Sequence, residues 1–205
     1  MSERKRIYLC LAHMSDAGLE QKYIKEAFDT NWVVPLGPNV NGFEHDLEEF
    51  VNENQNENEK LAKRVVALSS GTAAVHLALI NCGVKAGDEV CVQSFTFCAS
   101  SHPITYLGAT PVFIDSEKDT WNMDPELLEE AIKDRIAKTG KKPKAIVPVA
   151  LYGMPYSATG TIALGLRPVF AIRSLMASSS RSGSIFQVSF SESIKMGVAP
   201  RYVIG

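Results

Sequence analysis

Apolar residues in this chain follow two patterns, spacings of three to four residues and short continuous runs. In residues 16–29 the apolar positions recur at helical spacing, which predicts an amphipathic helix. Residues 30–40 contain two prolines and a glycine and are predicted to form an irregular loop. Phe43–Val51 is the next predicted helix, and the polar run over residues 52–60 is predicted to be solvated.

The middle of the chain alternates between predicted strands and predicted helices. The predicted strands are Val65–Leu68, Glu89–Gln93, Pro111–Ile114 and Ala145–Leu151. The predicted helices are Thr72–Cys82, Cys98–Leu107 and a segment from Pro125 to about Lys138. Pro103 is expected to kink the second helix or to begin a new first turn, and Asp124 is expected to cap the third. This alternation predicts an α/β fold with a mostly parallel sheet and helices on both of its faces.

The strongest chemical signal lies where the first of these central helices begins. Ser69, Ser70, Gly71 and Thr72 supply hydroxyl donors and allow a ligand to approach the backbone closely. A helix N-terminus has unpaired N–H groups and a positive dipole end, so it is a favourable place for a phosphate. Taken alone, the same residues are equally typical of an ordinary capped helix.

Several motifs, taken in their order, resemble one enzyme family. SSGTAAVHLAL, GDEV, SFTFCAS and LGATPVFID, with TNWVVPLGPNVNGFEHDLEEF upstream, are similar to the DegT/DnrJ/EryC1/StrS family of pyridoxal-phosphate-dependent sugar aminotransferases. The resemblance covers about residues 7–156. It implies the PLP-dependent transferase fold type I, with residues 1–156 forming the N-terminal part of the large domain. The implied reaction transfers an amino group, commonly from glutamate, to a nucleotide-linked keto sugar, in polysaccharide or secondary-metabolite biosynthesis.

The resemblance also implies roles for individual residues. Gly71 and Thr72 would form part of the cup that binds the phosphate of pyridoxal 5'-phosphate, and Phe97 would stack on the pyridine ring. The loop Asn31–Pro38 is similar to a segment that lies near the active site in the family. Family members are homodimers with sites at the subunit interface, so a homodimer is the expected assembly.

The last 49 residues depart from the family pattern. Residues 157–205 contain ten serines and one acidic residue, and the net charge changes from −6 in residues 1–156 to +4 in this tail. In the family, a strand ending in Glu-Asp keeps the pyridine nitrogen protonated, but here Ala171 and Ile172 follow the strand-like Pro168–Phe170. The family's Schiff-base lysine follows a Ser-Phe pair, and Lys195, the candidate here, stands one residue too far from Ser189-Phe190.

Two explanations of the tail remain open, a frameshifted or prematurely ended gene and an in-frame rearranged paralogue. They lead to two hypotheses of function, an aminotransferase and a catalytically inactive, truncated fragment or interaction-only paralogue. A third is the family's dehydratase branch, in which a histidine replaces the lysine, but no histidine follows His102. Without flanking helices from the tail, the predicted strands are expected to expose apolar faces or edges. The tail is predicted to be the least ordered part of the chain.

Composition changes this interpretation little. A chain of 205 residues with 45% hydrophobic and 21% charged residues is ordinary for a globular protein, and a net charge of −2 gives no reason to expect a nucleic-acid or membrane partner. The chain has no apolar run of about 18 residues and no signal-peptide pattern, so a cytoplasmic location is expected. The four cysteines lack paired spacing and the four histidines are scattered, so neither a disulfide framework nor a metal site is expected.

Overall fold

A computed structural model of the protein describes residues 16–52, 64–151, 167–173, 188–191 and 201–204. Its helices are α1 (Leu19–Asp29), α2 (Pro38–Asn52), α3 (Gly71–Asn81), α4 (His102–Tyr106) and α5 (Pro125–Thr139). Its strands are β1 (Arg64–Ala67), β2 (Glu89–Gln93), β3 (Thr110–Ile114), β4 (Ala145–Val147), β5 (Arg167–Arg173), β6 (Val188–Ser191) and β7 (Arg201–Ile204). A short 3₁₀ turn, Cys98–Ser100, lies between β2 and α4.

The strands form one seven-stranded sheet with the order β1-β7-β6-β5-β4-β2-β3. Strand β2 pairs in parallel with β3 and with β4, β4 pairs in parallel with β5, and β1 pairs in parallel with β7. Only β6, within the described sheet, runs antiparallel to its neighbours β5 and β7. The prediction of an α/β fold with a mostly parallel sheet is confirmed, and the carboxyl ends of β1 to β4 therefore reach the same edge of the sheet.

Helices cover both faces of the sheet around β2 and β4. On one face Val90 and Val92 pack with Val75 and Leu79 of α3, while on the other Cys91 belongs to a cluster with α5. This alternation follows from the two-residue period of a strand. The expectation that these strands expose apolar faces is wrong for β2 and β4, because residues 90–93 and 145–147 are fully buried.

Prolines account for three of the differences between the predicted and the observed element boundaries. Helix α2 begins at Pro38 rather than Phe43, because a proline suits the first turn of a helix, whose N–H group has no intrahelical acceptor. The predicted helix Cys98–Leu107 is split, with Pro103 in the first turn of the new helix α4. Strand β4 ends at Val147 instead of Leu151, since Pro148 has no N–H to donate to a sheet ladder.

The segment 157–205 contributes β5, β6 and β7 to the sheet. Strand β5 includes the strand predicted around Pro168–Phe170. Residues 157–166, 174–187 and 192–200 lie outside the described residues, and so does Lys195. The division of the chain at residue 156 and the origin of the tail stay predictions.

Candidate functional site

The N-terminus of α3 follows the carboxyl end of β1. Ser70 is its N-cap residue, with an extended backbone and a side-chain Oγ that accepts a hydrogen bond from the N–H of Ala73 at 3.2 Å. Gly71 and Thr72 are the first two helical residues, as predicted, and the first N–H groups of a helix have no intrahelical acceptor. The first turn contains no acidic residue, so no carboxylate there offsets the positive end of the helix dipole.

Phe97 lies at the same edge of the sheet, in the loop that follows β2. Its side chain is 78% exposed, although phenylalanine is an aromatic residue that normally gains from burial. The 3₁₀ turn that begins at the next residue packs against α3. The structure therefore brings the predicted phosphate-cup residues and the predicted stacking residue onto adjoining elements, while the roles themselves stay predictions.

The two groups that the family pattern requires for chemistry are not among these residues. Lys195 lies outside the described part of the chain. Ala171 and Ile172 lie within β5, and the sequence of that strand, RPVFAIR, contains no carboxylate. Among the described residues, the predicted cofactor-binding positions are therefore present without the predicted lysine and without a carboxylate in β5.

A buried amide at the end of β2 connects the loops around this surface. Gln93 is fully buried, and its Nε2 donates hydrogen bonds to the carbonyl oxygens of Phe95 (3.0 Å) and Trp121 (2.9 Å). Its Oε1 accepts hydrogen bonds from the N–H groups of Met123 (3.0 Å) and Val149 (3.3 Å). Sequence reasoning missed this residue, and the available signal was a polar side chain directly after the apolar run VCV of residues 90–92.

A second buried amide continues this network on the next loop. The Oδ1 of Asn122 accepts a hydrogen bond from the N–H of Leu151 (3.0 Å), and its carbonyl oxygen accepts one from the N–H of Glu117 (2.9 Å). Its neighbour Trp121 has a φ of 61°, a left-handed conformation that is rare for a bulky residue. Hydrogen bonds therefore hold the loop 116–123 to the segment that follows β4.

A shallow cleft of about 450 Å³ lies beside β3, and it is lined by Ser94, Phe95, Asp115, Ser116, Glu117, Lys118 and Trp121. The rings of Phe95 and Trp121 meet there at a centroid distance of 5.5 Å. Asp115 accepts hydrogen bonds through Oδ1 from the Ser94 hydroxyl (3.3 Å) and from the N–H of Ser116 (2.8 Å). Polar and aromatic groups thus continue along the edge of the sheet that carries Phe97.

An ion pair lies at the opposite edge of the sheet, and a buried thiol lies in the middle of β2. Arg135 donates two hydrogen bonds to the carboxylate of Glu89, at 2.9 and 2.6 Å. Hydrogen bonding to Glu89 is the main cause of the raised pKa of Arg135. Burial, with a smaller contribution from Glu89, raises the pKa of the Cys91 thiol to about 12. Cys91 therefore stays protonated near neutral pH and is unsuited to act as a nucleophile.

Other classes of site find no support in the part of the chain that the structure describes. No helix there is long and apolar enough to cross a membrane. Residues 16–52, 64–151 and the three tail strands also contain no group of three histidine, cysteine, aspartate or glutamate side chains that could hold a metal ion.

Comparison with known proteins gives a consistent result. The model of the DegT/DnrJ/EryC1/StrS aminotransferase family matches residues 15–162. EpsN of Bacillus subtilis (strain 168), described as a pyridoxal phosphate-dependent aminotransferase, is 52% identical over 149 residues, which are 73% of this chain and 35% of EpsN. The GDP-perosamine synthase of Caulobacter vibrioides is 37% identical over 153 residues, which are 75% of this chain and 36% of that enzyme.

Solved structures agree with the sequence comparisons. The PMP form of Spr1654 from Streptococcus pneumoniae, described as a sugar aminotransferase, superposes with a TM-score of 0.61 and 29% sequence identity. That match covers 77% of this chain and 35% of the Spr1654 chain. The chain therefore spans about a third of the length of the curated relatives it matches.

Proposed function

The chain belongs to the DegT/DnrJ/EryC1/StrS aminotransferase family, and from this premise we propose that it carries the cofactor-binding portion of a pyridoxal-phosphate-dependent sugar aminotransferase. The reaction would transfer an amino group from a donor such as glutamate to a keto sugar attached to a nucleotide. The observation that supports this most is that the N-terminus of α3 and the exposed ring of Phe97 lie at one edge of the sheet.

The residues at the start of α3 fit the phosphate of this cofactor. The N–H groups of Gly71 and Thr72 point out of the first helical turn, where an anion is stabilised by the helix dipole. The Oγ of Ser70 accepts the capping hydrogen bond, so the proton of this hydroxyl remains available to donate to a phosphate oxygen. These three residues would hold the phosphate without a charged side chain.

The ring of Phe97 fits the pyridine ring of the cofactor. An exposed aromatic side chain at the edge of a site can cover one face of a flat ligand and exclude water from it. When bound, pyridoxal phosphate supplies an electron sink that stabilises negative charge beside the amino-bearing carbon. Phe97 would orient the cofactor for that role.

One observation favours the second hypothesis, a binding fragment without catalysis. Ala171 and Ile172 are apolar, so β5 offers no carboxylate to keep a pyridine nitrogen protonated. Without that proton the ring withdraws electrons less strongly, and the chemistry slows even where binding persists. Binding and turnover must therefore be tested separately.

We also propose a homodimer in the cytoplasm. Support for the dimer comes from apolar residues of α1 and the loop after it that are at least half exposed, namely Ile24, Phe28, Trp32, Val33, Val34 and Leu36. A set of this kind is typical of a protein–protein interface. Sedimentation analysis of the protein and of Phe28→Glu tests the assembly, and a monomeric parent protein would contradict it.

Titration with pyridoxal phosphate, followed by equilibrium dialysis and visible absorbance, tests the binding function. We expect saturable binding, competition by inorganic phosphate, and affinity that Phe97→Ala lowers by roughly threefold to tenfold, in line with the value of an aromatic stack. Phe113→Ala is the matched control, since Phe113 is also exposed (58%) but lies on β3. An absence of saturable binding, or an equal loss in both variants, would refute the proposal.

Borohydride reduction of the complex then separates the two hypotheses of function. If the enzyme hypothesis holds, reduction fixes the cofactor to one lysine, which peptide mass mapping identifies. If the fragment hypothesis holds, the cofactor binds but no lysine is modified.

A further inference from the structure

Gln93 is a polar side chain that links three chain segments at this edge of the sheet. Its four partners follow it by 2, 28, 30 and 56 residues and belong to the loop after β2, the loop before α5 and the segment after β4. Its side chain has no exposure to solvent. A buried polar group that loses its partners is costly, so each of these hydrogen bonds constrains the loop that supplies it.

The chemistry of these contacts requires a glutamine. Its Nε2 has two protons and faces two carbonyl oxygens, while its Oε1 has two lone pairs and faces two N–H groups. Every donor and acceptor of the side chain is therefore used. A glutamate would keep both acceptors but present oxygen to the carbonyls of Phe95 and Trp121, and a methionine of similar length would replace none of the four bonds.

The bonds from Nε2 reach the residues that shape the proposed cofactor site. The carbonyl of Phe95 is two residues before Phe97. The segment 96–100, which contains Phe97, is also held by the hydrogen bond between the Thr96 and Ser100 hydroxyls (2.8 Å). The carbonyl of Trp121 is held where this residue adopts its left-handed backbone. A strained conformation of this kind persists only when its surroundings fix it.

We propose that Gln93 is a positioning residue, which sets the loop bearing Phe97 and the loop bearing Trp121 at fixed positions on the carboxyl edge of the sheet. It touches neither phosphate nor ring itself and acts through the backbone of its partners. The part of this proposal that concerns the cofactor rests on the proposed function. The part that concerns the loops does not.

Two substitutions and one control test the proposal, all made in a Trp32→Phe background so that Trp121 is the sole tryptophan. In Gln93→Met we expect faster hydrogen exchange at the N–H groups of Met123 and Val149, a shifted emission of Trp121, and pyridoxal phosphate affinity at least roughly tenfold lower. In Gln93→Glu we expect the two N–H groups to stay protected, because Oε1 remains, while emission and affinity change as in Gln93→Met.

The control is Asp124→Ala, which removes the cap of α5 and lowers stability without removing a bond to Gln93. We expect it to leave the emission of Trp121 and the cofactor affinity unchanged. Equal loss of affinity in the control would overturn the proposal, as would a folded Gln93→Met with affinity within twofold of its parent. If Gln93→Met does not fold, Gln93→Glu decides by the same affinity criterion.

The outcome also separates this proposal from the proposed function. If the parent protein does not bind pyridoxal phosphate, the proposed function fails. Hydrogen exchange and Trp121 emission then decide the positioning role alone. Values unchanged from the parent in both Gln93 variants would overturn it.

Discussion

Strand β1 has only β7 as a partner in the described sheet, and its outer N–H groups are covered by α2 instead of by another strand. The N–H of Val65 donates to Oε1 of Glu48 at 3.0 Å, and the N–H of Ala67 donates to Oε1 of Glu44 at 2.8 Å. Four residues advance a helix by about 6 Å and two residues advance a strand by about 6.6 Å, so the two spacings match. We predict that these two carboxylates stabilise the fold and block pairing of β1 with another chain.

The expected loss of unfolding free energy in each variant follows from how deeply the donor N–H group is buried. Val65 is buried, so Glu48→Leu leaves its N–H without a partner and should lower the free energy of unfolding by about 2 kcal/mol. Ala67 is half-buried and its N–H can reach water, so Glu44→Leu should cost about 1 kcal/mol. The ion pair of Glu48 with Arg64 adds little, because Arg64 is 71% exposed.

Urea unfolding followed by circular dichroism measures these changes. For a change of about 3 kcal/mol in the double leucine variant, and a slope of about 2 kcal/mol per molar urea, the midpoint should fall by about 1.5 M. Light scattering should also rise with protein concentration in that variant. Glutamine variants keep the acceptor oxygen without its charge and should lose about half as much.

The matched control is Glu49→Leu, which removes a carboxylate from the same helix. Glu49 is exposed and pairs only with His45 among its described contacts, so the expected change is below about 0.5 kcal/mol. Equal midpoints for this control and for the double leucine variant would refute the reasoning.

Three further predictions concern other parts of the molecule. Asp124→Ala should lower the free energy of unfolding by about 1 kcal/mol in thermal melts, since Asp124 caps α5 through two backbone N–H groups, whereas Asp124→Asn should lose little. Burial raises the pKa of Cys91 from 9.0 to about 12, so the unfolded chain releases this proton at lower pH than the folded chain. The contribution of Cys91 to stability should therefore be present below pH 9 and lost as the pH rises to about 12. Urea melts of Cys91→Ala over this pH range should lack this pH-dependent component. With glutamate and a nucleotide-linked keto sugar we expect no turnover by the chain, and turnover that Lys195→Ala abolishes would contradict this.

Elements with strong local signals could be predicted from the sequence. Helices α3 and α5 were predicted to within one residue at each end, because Ser70 and Asp124 are good capping residues and Pro125 suits the first turn of α5. Helix α2 was placed five residues too late because Pro38 was interpreted as part of a loop. Proline is unfavourable in a helix interior but is well tolerated in the first turn. The local sequence does not show whether a proline such as Pro38 lies in a loop or begins a helix.

Contacts between residues distant in the sequence could not be predicted. Gln93 bonds to residues as far as 56 positions away, and the carboxylates that cover β1 lie 17 and 23 positions before their donors. No periodicity encodes such pairs, since they depend on how the loops and helices meet after folding. Without knowledge of these contacts, the sequence marks Gln93 only as a polar residue at the end of an apolar strand.

Fold and chemistry depend on different properties of the sequence, and β5 shows the difference. A strand in the middle of a sheet requires mainly apolar, β-forming residues, and Val169, Phe170 and Ile172 meet that requirement. An electron sink requires a carboxylate at one position, and the apolar residues that satisfy the strand do not supply it. The sheet therefore continues into the segment where the family pattern is lost, although β5 itself supplies no carboxylate. The proposed binding by Gly71, Thr72 and Phe97 depends only on elements before residue 152. We therefore expect it to be retained even if turnover is absent.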